Sequence, residues 1–236
     1  MHRSLRVAAA QPLVSDDLAA TVAAHAGIVE AAHADLIVFP ELSLTGYHLD
    51  APAIALDDSA LLPLIGACSA AGSVALVGAP VAAGGVRSIA MLAFDTNGVR
   101  VAYRKRHLGG EESAHFTAIP GPSTTEVRGW RVGLAICKDT GVAAHTESLA
   151  ATGIDLYACG VVHHADEIDE QERRAATISA TCAAPVLMAS FAGPTGHGYT
   201  RTAGHSAIWS STSTLIARAS GEPDDFVVTV LPGSDH

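Results

Sequence analysis

The stretch DLIVFPELSLTGY, Asp35 to Tyr47, decides how the rest of the chain is read. Its first part, Asp35 to Phe39, is a short apolar run with no helical spacing, and Pro40 ends it, because proline has no N–H to give to a neighbouring strand. The turn-forming residues that follow open on a carboxylate, Glu41. An uninterrupted apolar strand is one covered on both faces, and polar residues at the ends of such strands are where layered α/β folds carry their sites.

Outward from this stretch the alternation continues in both directions. Leu5 to Ala10 is an apolar run, and Ser15-Asp16-Asp17 supplies an N-cap and acidic first-turn residues for a helix lasting to about His33. Ser59 to Val86 contains no charged residue and is long enough to cross a bilayer. Gly66, Gly72, Gly78 and Pro80 interrupt it and no basic cluster flanks it, so it reads as a buried helix, a turn and a buried strand, Ser73 to Val77. Ser88 to Phe94 and Val99 to Tyr103 flank the hairpin turn Asp95-Thr96-Asn97-Gly98, and Thr124 to Val127 pairs with Arg131 to Ile136 around Gly129-Trp130. A helix over Val142 to Thr152, a strand over Ile154 to Ala158, a helix over Asp166 to Ala184 and a strand over Val186 to Ser190 follow. Strand-like runs near Ala207, Leu215 and Val227 finish the chain. Helices alternating with strands, together with hairpins, predict an α/β layered fold with mixed pairing. No linker or repeat divides it, so residues 1–236 are expected to form one domain.

Composition narrows the function classes. Of 236 residues 49% are apolar and 16% charged, which excludes disorder. With 24 acidic against 14 basic side chains the net charge is -10, and the densest basic stretch is the four residues Arg104 to His107, so nucleic acid is not an expected partner. Cys68, Cys137, Cys159 and Cys182 form no C-x-x-C pair and are too few for a disulfide framework, which suits a reducing compartment. The basic start, Met1 to Arg6, leads into an apolar stretch broken by Gln11 and Pro12; the expectation is no signal peptide and a cytoplasmic protein.

Glu41, Lys105 and Cys137 share a placement, each at or just beyond the end of an apolar run (DLIVFPE, VAYRK, VGLAIC). If those strands are neighbours in one sheet, a carboxylate, an ammonium and a thiol converge on one crevice. A free thiol with a pKa of about 8.5 is mostly protonated at neutral pH. Lys105 as a cation and Glu41 as a base are expected to help it ionise, the same lysine to stabilise an oxyanion, and Glu41 to carry the proton to a leaving amine. Cys68, Cys159 and Cys182, in apolar surroundings, read as core.

Three blocks carry a family resemblance: FPELSLTGY (Phe39 to Tyr47), YRKRHL (Tyr103 to Leu108) and GLAICKD (Gly133 to Asp139) resemble the glutamate, lysine and cysteine blocks of the nitrilase superfamily of carbon-nitrogen hydrolases. RVAAAQ (Arg6 to Gln11) is similar to the family's first strand, and GHSAI (Gly204 to Ile208) to a late one. The resemblance implies a four-layer α-β-β-α sandwich, assembled as a homodimer or larger homo-oligomer. It also implies a second glutamate after the lysine block, with Glu112 the candidate and Glu111 its rival. Relatives often place an aromatic residue after the cysteine; here Lys138 stands there, and Gly141-Val142-Ala143 replaces a common Phe-Pro-Glu. The backbone N–H of Lys138 would, by resemblance, serve an oxyanion hole, while its side chain either enters the pocket to bind a substrate carboxylate or turns away to pair with an acid such as Asp139.

Twelve histidines raise the question of a metal, with His163, His164 and Asp166 adjacent and His197 and His205 on a later Gly-rich stretch. No H-x-x-x-H or H-E-x-x-H spacing occurs, and the His163-His164 pair should diverge after a strand, so neither metal nor cofactor is expected. The leading reading is an enzyme that cleaves a non-peptide carbon-nitrogen bond in a small amide through a Cys137 thioester. Nitrile and N-carbamoyl substrates are the near variants. An isochorismatase-like cysteine hydrolase would need an early aspartate motif that is missing, and a non-catalytic binding module would need no activated thiol.

Overall fold

The computed structural model describes residues 4–121 and 123–233; Met1 to Arg3 of the basic start lie outside them. Two six-stranded sheets make up its centre. The first contains β1 (Leu5–Gln11), β2 (Leu36–Val38), β3 (Val74–Ala83), β4 (Val86–Asp95), β5 (Gly98–Arg104) and β12 (Asp225–Leu231), in the order β12-β1-β2-β3-β4-β5. The second contains β6 (Thr124–Val127), β7 (Trp130–Ile136), β8 (Leu156–Val161), β9 (Val186–Ser190), β10 (Ala207–Trp209) and β11 (Leu215–Arg218), in the order β11-β10-β9-β8-β7-β6. Read from β12 and from β6, both sheets have the same ladder sequence: antiparallel, parallel, parallel, antiparallel, antiparallel. Each half is thus two consecutive strand-helix-strand units extended by antiparallel strands.

Strand alternation sorts the side chains into layers. Leu5, Val7 and Ala9 of β1 meet Val132, Leu134 and Ile136 of β7 in the core between the sheets. Ala8 and Ala10 face the other way, onto the helices α1 (Leu18–Ala32) and α2 (Leu62–Ala71). Ala135, Tyr157, Cys159 and Met188 do the same on the second sheet, beneath α3 (Ala143–Ala151) and α4 (Ile168–Cys182). The outcome is the expected α-β-β-α sandwich. Asp17, the last of the three expected residues, caps α1 by accepting the Ala19 N–H at 3.0 Å, so the helix starts later than read and no acidic residue falls in its first turn.

Several boundaries differ from the sequence reading. β8 starts at Leu156 and reaches Val161, because Ile154 leaves the ladder to pack under α3. Cys68 and Cys159 are core residues, whereas Cys182, at the end of α4, is only partly buried. The uncharged segment resolves into α2 and β3, and no described helix is long and apolar enough to cross a membrane.

Candidate active site

Glu41, Lys105 and Cys137 do come together, but not as neighbours in one sheet. β2 and β5, which precede Glu41 and Lys105, are separated in the first sheet by β3 and β4, and β7, which delivers Cys137, belongs to the second sheet. The site is therefore built across the gap between the sheets, where strand ends from both open onto one cavity.

The loop bearing Glu41 is wedged between the two sheets. A Cβ on Gly78 of β3 would stand 2.3 Å from the Pro40 carbonyl oxygen, and one on Gly160 of β8 would stand 2.5 Å from that of Phe39. Only glycine permits that approach, and an isolated glycine in an apolar strand was the available signal for it. So held, Glu41 is 1% exposed; its Oε1 accepts the Lys105 Nζ hydrogen at 2.6 Å, and its Oε2 has no protein partner.

Lys105 begins the turn after β5, its N–H bonded to the Ile89 carbonyl, and its ammonium is also 1% exposed. A second bond, 2.7 Å, runs to Glu112 Oε1. Glu112 in turn accepts Tyr47 O–H at 2.6 Å on the same oxygen and the Gly109 N–H at 2.7 Å on Oε2. Glu112 is thereby the second carboxylate of the cluster, and Glu111 is exposed at the cavity wall. Tyr47, the last residue of the quoted stretch, is a partner that sequence reasoning passed over; its position after Gly46, at φ +67, was the signal.

Cys137 ends β7 in a left-handed conformation, φ +41, which turns the chain directly into a short 3-10 turn, Cys137–Gly141. Its thiol donates to the Val162 carbonyl at 3.5 Å. Its own carbonyl accepts from Thr140 Oγ1 at 2.6 Å and from Arg174 on α4 at 3.4 Å. Asp139 pins the same turn to the lysine block, accepting Tyr103 O–H and the Ile136 N–H on one oxygen and the N–H and ring Nδ1 of His107 on the other. Asp139 is thus not the partner of Lys138, an exposed residue that is among those lining the cavity.

Burial dominates the electrostatics. It pushes Glu41 up to about 7, against the pull of Lys105. Burial works against the Lys105 charge too, but Glu41, Cys137 and Glu112 outweigh it and hold the ammonium above the ordinary lysine range. Cys137 is pushed up to about 12 by burial and then by Glu41, with Lys105 pulling the other way. Lys105 thus pulls the thiol toward its charged form as expected, but burial and the neighbouring carboxylate Glu41 oppose it more strongly.

The cavity measures about 440 Å³, with Lys105, Cys137, Lys138 and Tyr199 among its walls. His163 and His164 both line this cavity, where His163 bonds Gln171 and His164 stacks on Tyr199 at 4.2 Å. Among the described residues, the cluster with metal-ligand spacing lies elsewhere, at His107, Asp139 and His145. Its carboxylate already accepts four hydrogen bonds that hold the nucleophile turn and His145 Nε2 faces the Leu134 carbonyl, while His145 Nδ1 is buried without a hydrogen-bond partner.

Residues 6–232 match the family model described as carbon-nitrogen hydrolase. A CN-hydrolase superfamily protein from Xanthomonas campestris has a similar structure, with TM-score 0.87 at 17% identity over 98% of this chain and 91% of the other. So does an amidase from Nesterenkonia sp., with TM-score 0.85 at 21% identity over 98% and 92%. The "Hydrolase in pqqF 5'region" of Pseudomonas protegens is 32% identical over 146 residues, 56% of this chain and 50% of that protein, so the chain matches about half the length of this curated relative.

Proposed function

The chain belongs to the carbon-nitrogen hydrolase family, and from that premise we propose that it hydrolyses a small-molecule amide through a thioester on Cys137. The observation that carries the reading is the pair of hydrogen bonds that Lys105 Nζ donates, to Glu41 at 2.6 Å and to Glu112 at 2.7 Å, beside a cavity that Cys137 also lines. A structural ion pair needs one carboxylate; an ammonium held by two, with a thiol next to it, is arranged to meet a developing negative charge.

Glu41 takes the thiol proton as sulfur attacks the carbonyl carbon, and the carbonyl oxygen becomes an oxyanion held by Lys105 and the Lys138 N–H. Collapse breaks the carbon-nitrogen bond, Glu41-H gives its proton to the leaving nitrogen, and ammonia or an amine departs. Water then attacks the thioester with Glu41 again as base, releasing the carboxylic acid and restoring the thiol. Glu112 keeps Lys105 in place throughout, with Tyr47 and Gly109 holding Glu112. The Lys138 side chain at the cavity wall favours substrates that bear a carboxylate.

A mutant of the amidase from Nesterenkonia sp. AN1 forms a complex with butyramide, which supports an amide over a nitrile as the first substrate to try. The chain acts as one carbon-nitrogen hydrolase domain, residues 1–236, and a homo-oligomer is the expected assembly. The test is an ammonia-release screen over amides, nitriles and N-carbamoyl acids, each in neutral and carboxylate-bearing forms of equal size. Wild-type protein should release ammonia most readily from a carboxylate-bearing amide, and Cys137→Ala should release none while keeping its circular dichroism spectrum. Turnover surviving in Cys137→Ala would remove the mechanism, and inert wild-type protein with a slowly alkylated thiol would favour a binding module.

A further inference from the structure

Tyr199 has no part in the chemistry proposed above, yet it lines the same cavity as Cys137 and Lys105. Backbone and ring contacts hold it there. The segment that carries it docks on the Tyr47 backbone: Thr195 Oγ1 accepts the Tyr47 N–H at 2.7 Å, and a Cβ on Gly196 would stand 2.5 Å from the Tyr47 carbonyl oxygen. Within the segment the Thr195 N–H reaches the Tyr199 carbonyl at 2.8 Å and the Tyr199 N–H reaches the Gly196 carbonyl at 3.3 Å, which closes a tight turn. The phenol ring stacks on His164, with centroids 4.2 Å and planes 14° apart, and meets the Tyr47 ring edge-on at 5.0 Å.

The hydroxyl at the end of this held ring is unoccupied. It has no hydrogen-bond partner among the described residues, and it is not one of the unpartnered polar atoms shut away from the surface, so it stays open to the cavity that Tyr199 lines. Burial holds its proton in place, pushing the phenol above its ordinary range, and the charges that add most to this are Cys137 and then Glu41, which puts the hydroxyl on the reacting side of the cavity. A neutral hydroxyl both gives and accepts. A carboxamide over Cys137 presents a carbonyl oxygen, which Lys105 and the Lys138 N–H take in the mechanism above, and an NH₂ group, which only gives. What remains for the phenol oxygen is an amide N–H.

We propose that Tyr199 contacts the substrate on its leaving-group side, the phenol oxygen accepting an N–H of the carboxamide that Cys137 attacks and, once ammonia has left, an O–H of the water that takes its place. One N–H held in this way leaves the nitrogen lone pair to meet the Glu41 proton as the carbon-nitrogen bond breaks. Amides are then preferred over esters of the same acid, because an ester oxygen has no hydrogen to give. In its catalytic consequence this rests on the amide-hydrolysis reading; in its binding consequence, an amide held better than its ester, it does not.

Succinamate and monomethyl succinate form the test pair, since they share the free carboxylate and differ by NH₂ against OCH₃ at the reacting carbonyl. Tyr199→Phe keeps the ring and its stack on His164, so its thermal midpoint should equal that of wild-type protein. Its kcat/KM for ammonia release from succinamate should fall by about five- to tenfold, the worth of one neutral hydrogen bond, while that for methanol release from the ester should stay close to the wild-type value. A tyrosine that only held the loop would lower both together and leave the amide-to-ester ratio unchanged. Binding is read separately in Cys137→Ala protein by ligand-observed NMR. Adding Tyr199→Phe there should weaken succinamate by a similar factor and leave the ester unmoved. An amide-to-ester ratio unchanged in Tyr199→Phe, or a succinamate affinity that is undetectable or unchanged by the second substitution, would overturn the proposal. Absence of ammonia release by wild-type protein, with the affinity difference present, would instead count against amide hydrolysis alone.

Discussion

Burial acts on Cys137 and Glu41 in the same sense, since each loses its charged form on leaving water. The consequence is a division of labour, with a protonated thiol near 12 and a carboxylate near 7 that is ready to accept its proton during attack. Glu41 works as a base only when ionised, so activity should be full above about pH 7 and fall as pH drops through it. Alkylation of Cys137 by iodoacetamide should follow the same limb in wild-type protein. In Glu41→Gln that limb should vanish, leaving a slow reaction that climbs only toward the thiol's own ionisation. An alkylation profile unchanged by the substitution would mean that the thiol ionises unaided.

At the scale of elements, the Glu41 loop depends on two strands that have no reactive side chain to offer. Gly160 of β8 and Gly78 of β3 contact the backbone of Phe39 to Leu42 from opposite sheets, so the loop has no room to drift. Gly160→Ala forces a methyl to within 2.5 Å of the Phe39 carbonyl oxygen, and backbone rather than a flexible side chain must give way. Overpacking of this kind costs about 1–3 kcal/mol. The expected result is a lowered thermal midpoint together with a loss of turnover out of proportion to it, because a displaced Glu41 parts from Lys105. Thermal unfolding and ammonia release measured on the same preparation check this; full turnover in Gly160→Ala would show that the loop tolerates the shift.

For the molecule as a whole, each sheet alone holds an incomplete site. The carboxylates and the lysine come from the first sheet and its loops, the thiol from the second, and one core of residues such as Val7, Leu76, Leu134 and Leu187 joins them. Trp130 and Trp209 both sit in the second sheet and report on its packing. In a urea titration, tryptophan fluorescence and residual activity should therefore change together. Activity lost well before the fluorescence change would mean that the first sheet opens as a separate unit.

The sequence by itself determined which residues sit at strand ends, because an apolar run stopped by a turn is a local pattern. Glu41 after DLIVFP and Cys137 after VGLAI were legible in that way, as was the capping of α1 by Asp17. The resemblance of three blocks added Glu112 and the layered architecture. Tertiary structure alone decided that the three polar residues meet between two sheets and not along one, since strand partners are chosen by contacts far apart in the chain. It alone decided that Gly160 would clamp the loop of Glu41 and that burial would oppose the pull of Lys105 on the Cys137 thiol. Each of these depends on which atoms are shut away from water together, and no local spacing encodes that.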